Sequence, residues 1–317
     1  MKDSGLAKTS HAGNNKSAVA PGIGASHSRL SPLGPCILTG LIGRGILLSR
    51  SPAMHEVEAQ RQGLRYGYRL FDTAQMPAAQ SDLESLINAA EQCGFAGVNI
   101  TFPYKQAVMP LLDRLSEEAV AVGAVNTVTF HTGKRVGHNT DVTGFYQGLV
   151  QGLPNANLDC VLLIGAGGAG GAVAHALLKA GVNALRIHDR DQASSARVAQ
   201  SLGTHFPAAR IELCTDPTNA GNEISGIVNA TPVGMASHPG SPFPVEHLKP
   251  EHWVADVVYF PLETALIRAA SALGCKTLTG AAMAVHQAVG AFELFTGCQA
   301  SPSHMREAFL AAGEINA

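Results

Sequence analysis

The sequence predicts an α/β protein made of two units. From Cys36 onward, β-type apolar runs alternate with helix-type runs, the order that builds a mostly parallel sheet. A glycine cluster at 165–170 follows one of those apolar runs, where a strand would turn into a helix. At roughly 150 residues per domain, a chain of 317 residues has room for about two.

Composition narrows the class. Apolar residues make up 46% of the chain and charged residues 15%, so most of it can form a packed core rather than stay disordered. Lys and Arg total 22 against 24 Asp and Glu, a net charge of −2. That balance lacks the basic excess of a nucleic-acid or anionic-membrane partner. The six cysteines are spread out, the nearest pair being Cys275 and Cys298. With no C-x-x-C pair, reduced and mostly buried thiols in a cytoplasmic protein are expected, without structural zinc or other metal.

Residues 1–35 are rich in Ser, Gly, Ala and Asn and show no apolar periodicity. They read as a disordered leader. Arg29 is their only arginine, which argues against a transit peptide.

The elements then follow in order. CILTGLIG (36–43) reads as a strand ending in a glycine turn. Ser51-Pro52 opens a helix through Gln62, with Ser51 as cap and Pro52 at the first helical position. RYGYRLFD (65–72) is a second strand. Ser81 to Cys93 is an amphipathic helix with Leu83, Leu86, Ile87 and Ala90 on one face and Gly94 as its stop. GVNITF (97–102) is a third strand. A helix is expected within 104–115, and a short one over 116–122. AVNTVTF (124–130) is a fourth strand. GHNTD (137–141) reads as a turn into a helix that runs to Gly152.

The second unit opens at Cys160. Its strands are CVLLIG, ALRIHD, RIELC, GIVNAT and WVADVVY, with helices between them. Cys160 to Leu178 imitates a membrane span in length. It holds five glycines and changes from a β-type to a helix-type run midway, so no membrane segment is expected there. The chain ends in helices over 281–296 and 305–312.

Gly165-Ala166-Gly167-Gly168-Ala169-Gly170 satisfies G-x-G-x-x-G in the context that gives the motif meaning, an apolar strand before and an Ala-rich helix after. Gly165 permits the tight turn. Gly167 lets the backbone approach a pyrophosphate, and Gly170 lets helix and strand pack closely. Free N–H groups at the helix start would hold the anion. Asp189 ends the next strand, 19 residues on, where a carboxylate accepts hydrogen bonds from the adenosine ribose of NAD. Its charge would repel the 2′-phosphate of NADP, but Arg190 beside it could hold that phosphate. NAD is favoured, and NADP stays open.

Other motifs carry chemistry. Lys105 follows a strand end and an X-Pro turn, and Asp141 stands at a predicted helix start. Strand ends in α/β sheets face the ligand crevice. With a nicotinamide cofactor as hydride acceptor, a Lys–Asp pair can take the proton that an alcohol loses on oxidation.

From about Leu38 to Leu310 the chain resembles the shikimate/quinate dehydrogenase family. The resemblance rests on GLIG followed by Ser49-Arg50-Ser51-Pro52 and His55, on GVNITFPYK (97–105), GAVNT (123–127) and GHNTDVTG (137–144), and on NATPVGM (229–235), DVVYFPLET (256–264) and the stretch from GAAM to HQAVGAFELFTG (280–297). It implies a Rossmann-type nucleotide domain, a smaller α/β substrate domain made from both ends of the chain, and an active site in the cleft. The boundaries expected are 36–145 completed by 281–317 for the substrate domain, and 146–280 for the nucleotide domain.

The resemblance also implies roles. Lys105 and Asp141 match the catalytic pair. Ser49 and Ser51 match the carboxylate site. Asn99, Asn126 and Gln287 match contacts to ring hydroxyls, with Thr101 and Tyr259 as further candidates. Gly280 matches a backbone contact near the nicotinamide. Thr231 lies in a segment that should border the cofactor, with Gly168 in the glycine loop. NADP-dependent biosynthetic members usually carry Asn-Arg-Thr where this chain has Asp189-Arg190-Asp191, so the chain looks like the NAD-preferring branch. Quinate-active relatives tend to have Thr where Ser51 stands, which leaves shikimate, quinate and aminoshikimate open. The expected activity is NAD-dependent oxidation of a ring hydroxyl of such a small-molecule acid. The alternatives are an NADP-dependent biosynthetic enzyme and an aminoshikimate dehydrogenase. Monomer and homo-oligomer are both compatible with the sequence.

Overall fold

The computed structural model describes residues 36–219 and 223–315. The expected leader, 1–35, lies outside them. Two six-stranded sheets organise the chain.

The first sheet is built from β1 (Ile37–Gly43), β2 (Tyr66–Asp72), β3 (Gly97–Ile100), β4 (Arg114–Leu115), β5 (Thr127–His131) and β6 (Lys134–His138), in the order β2-β1-β3-β5-β6-β4. It is mixed: β5 runs antiparallel to both β3 and β6, and the remaining pairs are parallel. Helix α1 (Ser51–Arg61) follows β1, and α2 (Leu83–Gln92) precedes β3. Helix α2 buries Leu83, Leu86, Ile87 and Ala90, the face read from periodicity. Its cap is Asp82, which accepts from the Ser85 N–H.

Three readings are corrected here. Ser51 is the first residue of α1; Arg50 is the cap residue and supplies no side-chain cap bond. The helix expected within 104–115 is a series of turns with a single 3-10 turn at Met109–Leu111, followed by β4. Pro110 lacks an N–H donor and clashes with the preceding turn, so an α-helix cannot run through it. GHNTD is not all turn, since Gly137 and His138 end β6. The hairpin before it turns at Thr132-Gly133, both at positive φ, as a two-residue loop between twisted strands requires.

Helix α3 (Glu117–Val122) is capped by Ser116 and stops at Gly123, whose φ of 68° suits glycine. Helix α4 (Thr140–Gly152) starts from Asn139, whose side chain accepts from the Val142 N–H. This helix leads into the second sheet.

The second sheet contains β7 (Cys160–Ile164), β8 (Ala184–His188), β9 (Arg210–Leu213), β10 (Gly226–Asn229), β11 (Trp253–Asp256) and β12 (Lys276–Leu278). All its pairings are parallel, in the order β12-β11-β10-β7-β8-β9. Numbered from its own first strand, this is the doubly wound order, which reverses between β7 and β10. Both faces are covered. Val161 and Leu163 face a core with Val173, Leu177 and α4, while Leu162 and Ile164 face Leu266 and Ile267 of α7 (Ala265–Ala272). A strand buried on both sides needs a continuous apolar run, as CVLLI supplies. The same run continues into a glycine turn and α5 (Gly168–Lys179). No helix among the described residues is long and apolar enough to cross a membrane.

Helix α6 (Gln192–His205) joins β8 to β9. Helices α8 (Gly280–Thr296) and α9 (Pro302–Ile315) return to the first sheet's side. Val285, Phe292, Met305 and Phe309 pack there against Met54 and Ala59 of α1. Helices α4 and α8 meet closely: a Cβ on Gly144 would stand 2.8 Å from the Gln287 backbone nitrogen. The six cysteines are unpaired, with Cys160 and Cys275 buried, Cys214 and Cys298 half-buried, and Cys36 and Cys93 exposed. Fewer are buried than expected, because Cys36 precedes β1 and Cys93 follows the end of α2.

Candidate active site

A cavity of about 350 Å³ opens where the ends of β1 and β3 face α8 and the segment after β11. Lys105 and Asp141 both line it. The backbone at Tyr104 turns back to the Thr101 carbonyl (2.8 Å), which brings Lys105 round to the start of α4. Its Nζ donates to Asp141 Oδ2 at 2.6 Å. The Asp141 side chain is 7% exposed and that of Lys105 is 19% exposed, so the ion pair is largely shielded from water.

The other seven expected substrate residues line the same cavity. Ser49 and Ser51 face each other with their hydroxyls 3.2 Å apart. Ser49 Oγ also accepts from the Ser51 N–H. Asn99 and Asn126 are buried and fully oriented. Asn99 Oδ1 accepts from the Tyr68 hydroxyl (2.8 Å), and its amide nitrogen donates to Thr127 Oγ1 (2.9 Å) and to the Asn126 carbonyl. Asn126 Oδ1 accepts from the Thr140 N–H (2.8 Å), and its amide nitrogen donates to Thr140 Oγ1 (2.9 Å). An amide carries two donors. Asn126 therefore keeps one N–H for a ligand, whereas both donors of Asn99 are used. Thr101 follows β3, Gln287 projects from α8, and Tyr259 follows β11 with its ring edge toward Phe309.

Neighbours that carry no signal in the sequence hold these groups. Tyr68 is buried, and burial pushes its phenol well above the ordinary value. Burial also opposes the charge of Asp72. The N–H groups of Gly45, Ala74, Ile46 and Leu47 outweigh it and keep that carboxyl below its ordinary value. Asp72 thereby anchors the loop leading to Ser49. Its place at the end of β2 was visible, but nothing local marked its partners.

The nucleotide side of the cleft lies at the strand-order reversal. Gly165 has φ of 104°, and a Cβ there would stand 2.8 Å from Ala230 and Thr231. A Cβ on Gly170 would collide with the Gly165 carbonyl. Gly167 opens to free space, and it caps α5 without a side-chain bond. The first N–H groups of α5 thus have no side-chain cap to satisfy them, as an anion cradle requires. Asp189 accepts from the N–H of Ala166 (2.6 Å) and of Asp191 (2.8 Å), which sets its carboxylate at the edge of this loop. Arg190 is exposed. Thr231 donates from N–H and hydroxyl to Asn229 Oδ1.

Asn229 in turn donates to Asp256, which also accepts from Thr264 Oγ1 and the Val258 N–H. Burial raises Asp256 to about 6 against those hydrogen bonds. This cluster ties the 229–235 segment to the segment after β11. Gly280 packs under the latter, where a Cβ would meet the carbonyls of Val258 and Val257. Gly168 brings the two sides together: a Cβ there would lie 3.7 Å from Lys105 Cδ. Among the described residues no cluster of His, Cys, Asp or Glu is placed to hold a metal.

Comparison with known proteins finds relatives along most of the chain. The family model described as the shikimate dehydrogenase substrate binding domain matches residues 41–128. That of the shikimate 5'-dehydrogenase C-terminal domain matches residues 280–308. The chain is 51% identical over 278 residues to the quinate/shikimate dehydrogenase (NAD(+)) of Corynebacterium glutamicum, covering 86% of this chain and 98% of that one. It is 52% identical over 271 residues to the shikimate dehydrogenase (NADP(+)) of Streptomyces avermitilis, covering 85% and 92%. The solved quinate dehydrogenase from Corynebacterium glutamicum in complex with NAD superposes with a TM-score of 0.83 at 50% identity, over 87% of this chain and 99% of that one. The Thermus thermophilus shikimate 5-dehydrogenase in complex with NADP(H) and shikimate gives 0.76 at 36% identity, over 87% and 99%. With its two-sheet fold and these relatives along most of its length, the chain belongs to the shikimate/quinate dehydrogenase family.

Proposed function

We propose that the protein is an NAD-dependent dehydrogenase of shikimate or quinate. The observation that carries this is the Lys105–Asp141 pair in a cavity bordered by the glycine loop. The domain reading that goes with it assigns 36–145 and 281–317 to the substrate and 146–280 to the nucleotide.

Bound NAD would supply the hydride acceptor for the ring carbinol carbon. The open face at Gly167 and the uncapped start of α5 would hold its pyrophosphate. Asp189 would accept from the adenosine ribose hydroxyls, and Thr231 and Gly280 would border the nicotinamide end. Lys105 takes the hydroxyl proton in the oxidation and returns one in the reduction. Asp141 holds that nitrogen in place through the 2.6 Å contact. Ser49 and Ser51 bind the substrate carboxylate. Asn126, Gln287, Thr101 and Tyr259 meet the ring hydroxyls, while Asn99 keeps that wall rigid through Tyr68 and Thr127.

Asp189 favours NAD over NADP, because two like charges ~4 Å apart repel by ~4 kcal/mol at an effective dielectric near 20. Arg190 supports the second reading, an NADP-dependent enzyme, since it stands exposed beside Asp189. Initial rates with shikimate and with quinate, each with NAD and with NADP, test the proposal. Rates mainly with NAD are expected. Rates mainly with NADP would transfer the choice of cofactor to Arg190.

A further inference from the structure

Arg50 lies between the two serines of the carboxylate site, in the Ser49-Arg50-Ser51-Pro52 motif, yet the resemblance assigns it no role. It is 7% exposed. A buried cation normally has a carboxylate partner. Among the described side chains no carboxylate pairs with Arg50. Its Nη1 donates to the Phe309 carbonyl at 3.2 Å. Its guanidinium lies 4.6 Å from the Phe309 ring centre and 5.8 Å from that of Phe260. Helix α9 makes room for it at Gly313, where a Cβ would stand 2.5 Å from Nη2.

Arg50 also borders the cavity, together with Phe260, Phe309 and Tyr259. A positive charge with no carboxylate partner among the described side chains attracts an anion strongly in a site of low dielectric. The stacked, singly bonded guanidinium still has donors to spare.

We propose that Arg50 is a specificity-determining residue, whose guanidinium selects ring acids in their carboxylate form over uncharged polyols of the same shape. The inference rests on the dehydrogenase reading. It adds that the serines supply direction and Arg50 supplies the charge.

The test compares shikimate with shikimate methyl ester on the full chain, by turnover with NAD and by calorimetric binding. The proteins are the wild type, Arg50→Met, Arg50→Lys and Ser49→Ala. Arg50→Met is expected to raise KM and Kd for the acid roughly 10- to 100-fold, the worth of an interaction with a charged group. The ester and NAD are expected to stay unchanged, and Arg50→Lys to recover part of the loss. Equal weakening of acid and ester, or no weakening of either, overturns the inference. If Arg50→Met does not fold, a wild type that binds ester as tightly as acid overturns it equally. Loss of acid binding in Arg50→Met without loss in Ser49→Ala keeps the inference and removes the serine assignment. A wild type that oxidises neither shikimate nor quinate removes the dehydrogenase reading, and calorimetry of acid against ester still decides the role of Arg50.

Discussion

Lys105 Nζ stands 2.6 Å from Asp141 Oδ2, a contact between residues 36 positions apart. One comes from the turn after β3 and the other from the first turn of α4. Replacing Lys105 with Ala should lower kcat by ~10²-fold or more. The KM for NAD should change little, because the lysine does not form the nucleotide cradle. Steady-state rates decide this, and near-normal turnover would remove Lys105 from the proton transfer.

Asp189 is held at the rim of the glycine loop by two backbone N–H groups. Asp189→Ser should raise kcat/KM for NADP at least ~10-fold, since the repelling charge is removed and water and salt screen only part of its ~4 kcal/mol. Adding Arg190→Ala should then take that gain away. If Asp189→Ser leaves cofactor preference unchanged, the selecting residue lies elsewhere.

Gly167 and Gly170 look alike in the motif but differ in surroundings. A Cβ on Gly167 meets nothing within 4 Å, whereas one on Gly170 collides with the Gly165 carbonyl. Gly167→Ala should therefore keep stability and raise KM for NAD. Gly170→Ala should cost about 1–3 kcal/mol of stability, as overpacking does. Denaturant melts and NAD titrations of both variants separate the two effects.

His55 is buried against Tyr66, Tyr68 and Phe292, and burial pushes its imidazole down to about 3. An exposed histidine titrates near 6.5. Above that pH neither the folded nor the unfolded chain binds this proton. As the pH falls from about 6.5 toward 3, only the unfolded chain binds it. The group's contribution is thus full above about 6.5 and is lost on acidification, by about 3 kcal/mol at pH 4.5. Unfolding free energies at pH 7.5 and 4.5 check this. His55→Gln should show a smaller drop between the two than the wild type, and an equal drop would assign the acid sensitivity to other groups.

Much of the architecture could be read locally. CVLLI followed by G-x-G-x-x-G marks a strand, turn and helix because both faces of a central parallel strand are buried and because only glycine fits at Gly165 and Gly170. The amphipathic face of α2 follows from its period. The errors fell where local signals compete. The 104–115 segment holds apolar residues at helical spacing, but Pro110 prevents the helix. The β5–β6 hairpin is short and turns on Thr132-Gly133, a weaker signal than the Asn-Gly or Asp-Gly pairs that usually mark such loops.

The sequence by itself determined the strand–helix order and the glycine loop, which depend on period and backbone conformation, both of them local. The residues for a proton and a carboxylate were pointed to by the family resemblance of their motifs, and Asp189 for a ribose by its place after the glycine loop. Only the tertiary structure decided which of them meet and what holds them. It set Lys105 against Asp141 and spent both amide donors of Asn99. It also drew Arg50 to the Phe309 carbonyl, 259 residues away. Burial and partnership between distant segments exist only once the core has closed, and they decide where a charge stands unneutralised.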